Sequence, residues 1–308
     1  MHAAVLTSTD APPTYRTHPE PAATGDHQVV VEVLAAGLHH LTRSKATGAH
    51  YSSAPTLPLV PGVDAVVRDP AGRLRYAVLD DVAQGTFAER TVIDVRRSVV
   101  LPDDVDPVQV AAAMNPGMSS WLALRRRVPF TPGSSVLVMG ATGNAGRMAV
   151  QVAKLFGAGH VVAAGRDAAR LAALTALGAD ETCTFEEIER AADVDVVLDY
   201  VWGEPAATAM VAMLSARGDR SAPLTWVQIG SMAGDVAPVR SFALRSARLD
   251  VVGSGYGSVP VRDIVAELPE LAAAVTEGVL DVHARTVRLA DVADVWSART
   301  EDRIVLVP

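Results

Sequence analysis

Short apolar runs separated by turn-forming residues dominate the first hundred residues of the chain. Valine is frequent within the runs, and Pro, Gly and Asp clusters stand between them. The runs cover residues 28–34, 62–67, 88–95 and 98–101. Runs of this length and composition predict β-strands, and their close spacing is typical of a small barrel or sandwich.

The pattern changes in the middle of the chain, where apolar runs alternate with stretches of helical periodicity. The apolar runs cover residues 136–139, 160–164, 194–200, 224–229 and 249–252. The helical stretches lie between them, ending near residue 156 and covering 168–177 and 206–214. This alternation predicts βαβ units and a parallel sheet, with right-handed crossovers placing helices on both faces. Beyond residue 253 the pattern predicts a helix over 261–276 and short strands over 284–288 and 304–307.

Composition narrows the class of protein. The 308 residues are enough for two domains, and 49% hydrophobic against 20% charged residues excludes wholesale disorder. A net charge of -8 disfavours a nucleic-acid partner, and no apolar run reaches the roughly 18 residues of a membrane span. We see no signal peptide, and the single cysteine, Cys183, excludes an internal disulfide framework. These features predict a soluble, cytoplasmic, acidic globular protein.

The strongest local signal is a glycine-rich turn after the first strand of the alternating region. Gly140, Gly143 and Gly146 stand where a predicted strand passes into a helix. Glycines there let the backbone turn sharply and approach a pyrophosphate, which the helix N-terminus favours. The spacing is G-x-x-G-x-x-G, and an ordinary tight turn is the alternative. The strand before and the helix after it favour a dinucleotide site.

An arginine rather than an acid follows the second strand of this region. NAD-preferring sites carry Asp or Glu there for the ribose 2′-hydroxyl. Arg166 has the geometry to pair with a 2′-phosphate instead, and Arg170 lies one helical turn further on. The alternatives are two arginines on a solvated helix face, or an inward-pointing Asp167 that would favour NAD. We expect NADPH as the cofactor.

These motifs together resemble the zinc-independent quinone oxidoreductases of the medium-chain dehydrogenase/reductase superfamily. The resemblance covers essentially the whole chain and rests on five segments in family order. They are 36–48 (AGLHHLTRSKATG), 57–62 (LPLVPG), 117–121 (GMSSW), 140–146 (GATGNAG) and 229–231 (IGS). The resemblance implies an α/β protein in which a doubly wound Rossmann sheet is inserted into a GroES-like β-rich catalytic domain. The implied domains are 108–253 for NADPH binding and 1–107 plus 254–308 for catalysis, with the active site in the cleft between them.

The resemblance also implies a set of cofactor contacts and a homodimer formed along the last sheet strand, 249–252. By resemblance Ser119 approaches the nicotinamide, and the loop with Gly230 and Ser231 lies beneath it. The expected cofactor-binding residues are Ser119, Thr142, Gly143, Asn144, Ala145, Gly165, Arg166, Arg170, Gly230 and Ser231.

Two substrate-pocket positions depart from the family pattern. His39 stands where the family usually has Asn, and Ser44 where it usually has Tyr. His39 is expected either to hydrogen-bond a substrate carbonyl or donate a proton near neutral pH, or to be a structural histidine. Tyr51 follows the same segment and is a candidate for the missing phenol, with an exposed loop tyrosine as the alternative. We therefore predict His39, Ser44 and Tyr51 as the catalytic residues.

No metal site is expected. Zinc-dependent members of the superfamily use Cys and His ligands, but this chain has His39 at the cysteine position and Gly62-Val63-Asp64 in place of Gly-His-Glu. His39, His40 and His50 form a local histidine cluster, yet His39 and His40 would point in opposite directions in an extended segment.

Three other polar residues have structural interpretations. Asn115 before Pro116 is typical of a helix cap, and Asp199 at a strand end is better explained as a cap than as a base. Cys183 is a small apolar filler.

Three functions compete. The first is NADPH-dependent hydride transfer to a quinone or an α,β-unsaturated carbonyl, in which hydrogen-bond donors stabilise the developing oxyanion. The second is a non-catalytic NADPH-binding redox sensor or regulatory protein, because the usual Asn and Tyr are missing. The third, a methyltransferase, is disfavoured by Arg166, since an acid normally holds the ribose of the methyl donor there.

Overall fold

The chain forms two compact units. The structure is a computed structural model and describes residues 1–53, 55–79, 83–298, 300 and 302–308. The first unit comprises Met1–Asn115 and Arg262–Pro308, and the second comprises Pro116–Val261. Within the described residues, no helix combines the length and the apolar character that crossing a bilayer requires.

The elements are numbered in chain order. The strands are β1 (His2–Val5), β2 (Thr14–Thr17), β3 (Gln28–Gly37), β4 (Asp64–Arg68), β5 (Leu74–Val78), β6 (Arg90–Asp94), β7 (Ser98–Val100), β8 (Ser135–Met139), β9 (His160–Gly165), β10 (Glu181–Thr184), β11 (Val196–Asp199), β12 (Leu224–Gln228), β13 (Leu249–Gly253), β14 (Ala284–Arg288) and β15 (Arg303–Val307). The helices are α1 (His40–Thr47), α2 (Pro107–Leu122), α3 (Asn144–Leu155), α4 (Ala168–Ala172), α5 (Gly203–Ala216), α6 (Ala243–Ser246), α7 (Val261–Thr276) and α8 (Val292–Val295).

The first unit is built on a mostly antiparallel sheet. Its seven strands include the path β14-β15-β3-β4-β5-β7, and β6 pairs with β3. The long strand β3 pairs with three others, β4, β6 and β15. Leu6, Phe87 and Ile93 are among the fully buried side chains of its core. The predicted β-rich character of this region is confirmed.

The second unit holds a six-stranded sheet in which every pair is parallel. Its order is β10-β9-β8-β11-β12-β13. Strands β8, β11 and β12 are buried on both faces, which explains why they read as continuous apolar runs. Leu137, Met139 and Trp226 lie in its core. The predicted parallel sheet of βαβ units is confirmed, and in the chain it is inserted between the two segments of the first unit.

Several elements differ from expectation. The segment after His39 is the helix α1, so His40 begins a helix instead of continuing an extended strand. The expectation that Asn115 caps a helix start is wrong, because α2 begins at Pro107 and continues through Pro116. The predicted helix over 168–177 is α-helical only to Ala172 and continues as a 3₁₀ helix.

Candidate cofactor site and active site

The glycine turn forms a cradle at the carboxyl end of β8. Gly140 has φ 81°, and the N–H groups of Gly140 and Ala141 both donate to Ala164 O at 3.0 Å. A Cβ on Gly146 would collide with Gly140 O and lie 2.6 Å from Ala141 Cα. Gly143 is the N-cap of α3 and has no side chain to cover the helix N-terminus. The cradle is therefore open to an anionic group and fits the pyrophosphate of a dinucleotide.

The corner after β9 carries the predicted arginines. Arg166 is exposed there, next to the buried Gly165. The Asp167 carboxylate accepts the Arg170 N–H at 3.1 Å and so caps α4. Arg170 Nη2 donates to Thr142 O at 3.1 Å, which joins this corner to the glycine turn. Asp167 is thus engaged as a helix cap, and Arg166 is the exposed charge beside the cradle.

The loop after β12 lies against the end of β11. Gly230 N donates to Asp199 O at 3.0 Å, and a Cβ on Gly230 would lie 2.8 Å from Tyr200 O. Ser119 Oγ lies 2.9 Å from Tyr200 Oη. Ser231 follows on this loop and is exposed. The structure therefore brings Ser119 and Gly230, two of the predicted cofactor contacts, to one residue that the sequence did not single out, Tyr200.

Asp199 has a fully engaged carboxylate. It accepts the N–H groups of Val201 and Trp202 at 2.8 and 2.9 Å, and Trp226 Nε1 donates to its other oxygen at 2.9 Å. Burial raises the pKa of this carboxyl, while these three donors act against the shift. The bonds fix the turn that leads from β11 to α5, so Asp199 is structural, but the expectation that it caps a helix is wrong because the N-cap of α5 is Trp202.

The candidate catalytic residue His39 lies inside the first unit, between β3 and α1, with 3% of its surface exposed. Its Nδ1 accepts the Thr42 N–H at 3.3 Å and caps α1. Because Nδ1 accepts, the neutral ring carries its proton on Nε2, which donates to Asp64 Oδ1 at 3.1 Å. Tyr76 Oη donates to the other oxygen of Asp64 at 2.7 Å.

A buried cation lies next to this chain of bonds. Arg303 is 7% exposed, and its Nη2 donates to Asn115 Oδ1 at 3.3 Å. Burial lowers the pKa of its guanidinium to about 10, although the charge of Asp64 acts in the opposite direction. Arg303 therefore stays charged at neutral pH and supplies a positive charge close to Asp64.

The geometry of His39 conflicts with the expectation that it donates a proton near neutral pH. Burial lowers the pKa of the imidazole, and the charge of Asp64 only partly opposes this. The ring is therefore neutral, and its one N–H is directed at Asp64. This arrangement is that of a structural histidine that orders the start of α1.

The other two candidate catalytic residues lie in different surroundings. Ser44 is buried in α1 and its hydroxyl donates to Leu41 O at 3.1 Å. Tyr51 is 74% exposed, and its ring lies 4.2 Å from that of His50 between centroids. Their catalytic roles remain predictions.

Comparisons with known proteins show what the chain is similar to. A family model described as zinc-binding dehydrogenase matches residues 145–276. The chain is 28% identical, over an alignment of 361 positions, to the probable NADPH-dependent quinone reductase tdiC of Emericella nidulans, and the match covers all of both chains. The quinone oxidoreductase from Thermus thermophilus, also solved with NADPH, matches over the full length of both chains with a TM-score of 0.85 and 27% identity. The chain therefore resembles the zinc-independent quinone oxidoreductases of the medium-chain dehydrogenase/reductase superfamily, as its motifs indicate.

A further relative matches part of the chain. The chloroplastic NADPH-dependent alkenal/one oxidoreductase of Arabidopsis thaliana is 28% identical over 195 residues, which cover 57% of this chain and 50% of that enzyme. The solved quinone oxidoreductases confirm the expected fold class, a Rossmann sheet and a GroES-like β-rich region.

His39 and Asp64 are also the residues to consider when asking whether the chain has a metal site. In the part of the chain that the structure describes, no group of three or more His, Cys, Asp or Glu side chains is arranged to hold a metal ion. His39 stands at the cysteine position of the zinc-dependent members, and Asp64 lies in the segment that corresponds to their Gly-His-Glu. In this chain the two side chains hydrogen-bond to each other. The absence of a catalytic metal remains a prediction.

Sequence reasoning gave no role to four residues that the structure places in these networks: Asp64, Tyr76, Tyr200 and Arg303. Asp64 is the third residue of Gly62-Val63-Asp64, which departs from the zinc-ligand pattern of the superfamily. His39 is the other residue that departs from this pattern. Considering the two departures as a pair would have predicted their contact. Tyr76 and Arg303 carried no comparable signal, because they lie on β5 and β15, whose pairing the sequence does not reveal.

Acidification below about pH 6.5 is expected to destabilise the protein through His39. Burial lowers the pKa of the folded imidazole, Asp64 opposes this, and Arg303 and Arg43 reinforce it. Below the ordinary pKa of about 6.5 the unfolded chain binds a proton that the folded chain does not. Unfolding is then favoured by up to about 1.4 kcal/mol per pH unit, and above this pH the effect vanishes because both states are neutral.

Urea denaturation between pH 5 and 8 measures this effect. His39→Asn is expected to remove that part of the slope, whereas His40→Asn at the exposed neighbouring position should keep it. Equal slopes for wild type and His39→Asn would contradict the role of His39.

Proposed function

We propose that this protein is an NADPH-dependent oxidoreductase that transfers hydride to a quinone or an α,β-unsaturated carbonyl without a metal ion. The observation that carries the proposal is the open glycine cradle after β8 beside the exposed Arg166 after β9. The names of the relatives support the chemistry, since they give NADPH-dependent quinone reduction and alkenal/one oxidoreduction. A quinone takes up the hydride and one proton to give the hydroquinone, and NADPH becomes NADP⁺.

The residues present fit NADPH. We propose that the amides of Thr142, Gly143, Asn144 and Ala145 hold the pyrophosphate, where the start of α3 favours negative charge. Gly165, Arg166 and Arg170 hold the phosphorylated ribose, and Ser119, Gly230 and Ser231 border the nicotinamide. When bound, the nicotinamide supplies the hydride, and the chain contributes orientation and charge stabilisation.

The proposal also assigns the cofactor and the acceptor to different parts of the chain. We assign NADPH binding to residues 108–253 and the acceptor to residues 1–107 and 254–308. Tyr51 is the proposed hydrogen-bond donor toward the acceptor, Ser44 is a proposed contact of the acceptor, and His39 supports the segment that carries Ser44 by capping α1. We also propose that the protein acts without a nucleic acid or a membrane and is cytoplasmic.

Oxidation of NADPH in the presence of different acceptors tests the proposed function. We expect turnover with p-benzoquinone or cyclohexenone, and none when NADP⁺ is offered with ethanol. The loss of nicotinamide absorbance gives the rate, and calorimetry measures NADPH binding separately. Binding without turnover on any quinone or enone would overturn the enzymatic proposal in favour of a non-catalytic NADPH-binding protein.

Arg166→Ala is expected to weaken NADPH binding by roughly ten- to a hundredfold and to leave NADH binding nearly unchanged. The exposed guanidinium is the proposed partner of the 2′-phosphate, and one charge-assisted pair contributes about 1.5–3 kcal/mol. Calorimetric titration with both cofactors measures the two affinities. Arg240→Ala, which removes an exposed arginine elsewhere in the same unit, serves as the control. An unchanged preference in Arg166→Ala would rule out this assignment.

We also propose a homodimer that forms along β13. This strand ends the sheet of the second unit, and Val251 on it is 40% exposed. The segment before it exposes further apolar side chains, namely Met232, Val236, Phe242 and Leu244. An apolar sheet edge is a liability that proteins usually cover, and a second copy of the chain would cover it.

Val251→Asp is expected to convert the dimer into a monomer, because it places a charge on the proposed interface. Light scattering at low micromolar concentration should give twice the mass of one chain for wild type and the mass of one chain for the variant. Val100→Asp, on the end strand β7 of the other sheet, should leave the dimer intact. A monomeric wild type would refute the proposed dimer.

A further inference from the structure

In the sheet of the second unit, the order in which the chain adds strands reverses between β8 and β11. The chain moves outward from β8 through β9 to β10 and resumes on the other side of β8 with β11, β12 and β13. Dinucleotides bind across such a switch point, at the carboxyl ends of the strands. The glycine cradle lies at the end of β8 and Arg166 at the end of β9. The nicotinamide half of a bound cofactor therefore belongs over the ends of β11 and β12.

Tyr200 occupies this place. It directly follows β11, and its N–H donates to Met139 O, the last residue of β8, at 3.2 Å. Its Cβ would lie 3.5 Å from a Cβ on Gly140, and its carbonyl oxygen 2.8 Å from a Cβ on Gly230. Tyr200 is thus packed between the glycine turn after β8 and the glycine loop after β12.

The Tyr200 phenol bonds to the Ser119 hydroxyl at 2.9 Å, a contact in which either oxygen can donate. Ser119 Oγ also lies 2.8 Å from Pro116 O, which can only accept. With the single hydroxyl hydrogen of Ser119 donated to Pro116 O, Tyr200 is the donor and Ser119 the acceptor in the contact between the two hydroxyls. Ser119 Oγ retains a second lone pair, so it can accept a hydrogen bond from a ligand.

We propose that Tyr200 is a positioning residue for the nicotinamide half of the cofactor: its phenol holds Ser119 Oγ as a hydrogen-bond acceptor for the amide N–H of the nicotinamide. The inference rests on the proposed function. Tyr200 remains a donor throughout the neutral pH range, because burial raises the pKa of its phenol to about 12. Its 8% exposure excludes most competing water.

Calorimetric binding of two ligands to the full-length protein tests the proposal. The ligands are NADPH and 2′-phospho-ADP-ribose, which keeps every part of the cofactor except the nicotinamide. Tyr200→Phe is expected to weaken NADPH binding by about five- to twentyfold, the range of one lost hydrogen bond. The affinity for 2′-phospho-ADP-ribose should stay within about twofold of wild type. A merely structural role would change both affinities alike.

Variants of Ser119 complete the test. Ser119→Ala is expected to reproduce the selective loss, and the double variant should lose no more than Ser119→Ala, because both substitutions remove the same interaction. Ser119→Thr keeps the hydroxyl and should retain wild-type NADPH binding. Tyr15→Phe in the first unit controls for loss of a phenol elsewhere.

Two outcomes would overturn the inference, and they differ from each other. Equal changes in the affinities for the two ligands, or no change in either, would refute the role of Tyr200 while leaving the proposed function standing. A wild-type protein that binds neither ligand would refute the proposed function and this inference with it.

Discussion

Replacing Asp64 by alanine is expected to lower the free energy of unfolding by about 3–5 kcal/mol. The carboxylate is 2% exposed and accepts hydrogen bonds from His39 Nε2 and Tyr76 Oη at 3.1 and 2.7 Å. Without it, two buried donors lose their acceptor and the buried Arg303 loses a nearby negative charge. Unsatisfied donors and an uncompensated cation both favour the unfolded state, where water solvates them.

Urea denaturation at neutral pH measures this loss. Asp64→Asn keeps the shape of the side chain and one acceptor oxygen, so it should lose less stability than Asp64→Ala. Asp103→Ala removes an exposed carboxylate from the same unit and should stay within about 0.5 kcal/mol of wild type. A loss below about 1 kcal/mol for Asp64→Ala would show that the carboxylate is not the centre of this network.

The same network decides how His39 contributes to function. If its imidazole donated to the acceptor in the transition state, folded His39→Ala would turn over about 10²–10³ times more slowly. Because the N–H is directed at Asp64, we expect the variant to lose stability while its folded fraction keeps most of its turnover. Asparagine is a favoured N-cap residue, so His39→Asn should cap α1 and retain more stability than His39→Ala.

Most of the second unit was predictable from the sequence. Five of its six parallel strands are apolar runs, and each of the five except β12 is followed by a stretch of helical periodicity, so most of the strand and helix order was evident. Strand β10 has the sequence ETCT, which is not an apolar run, and it was not predicted. The glycine turn and Arg166 were located because each belongs to one local transition from strand to loop. By contrast, α1 consists largely of polar residues, and α2 contains Pro116 and Gly117, so neither has the pattern of an apolar-faced helix.

The buried network of the first unit was not predictable in the same way. His39 and Asp64 are 25 positions apart and meet because β3 pairs with β4. Tyr76 reaches Asp64 from β5, which pairs with β4 in turn. Such contacts depend on the order and register of antiparallel strands, which the alternation of apolar residues does not specify. Tyr200 was not predicted for a related reason, because its partner Ser119 lies on α2, 81 positions away in the sequence.

Gly146→Ala is expected to destabilise the protein by about 3 kcal/mol and to abolish most NADPH binding. A Cβ at this position would collide with Gly140 O and lie 2.6 and 2.9 Å from the Cα and carbonyl carbon of Ala141. These are backbone atoms of the turn itself, so they cannot move aside as a flexible side chain would. Helix α3 would have to shift away from the end of β8, with the strain and lost packing that overfilling a core brings.

Gly143→Ala is the matched variant that separates folding from binding. Gly143 has φ −80° and ψ 164°, a conformation that alanine adopts readily, and its Cβ would be no closer than 3.5 Å to Gly140 O. We therefore expect its stability to stay within about 1 kcal/mol of wild type. The added methyl group nevertheless stands at the proposed pyrophosphate site, so NADPH binding should weaken by at least about tenfold. Thermal denaturation and calorimetry on both variants measure the two effects: a fully stable Gly146→Ala would contradict the packing argument, and normal NADPH binding by Gly143→Ala would remove this turn from the cofactor site.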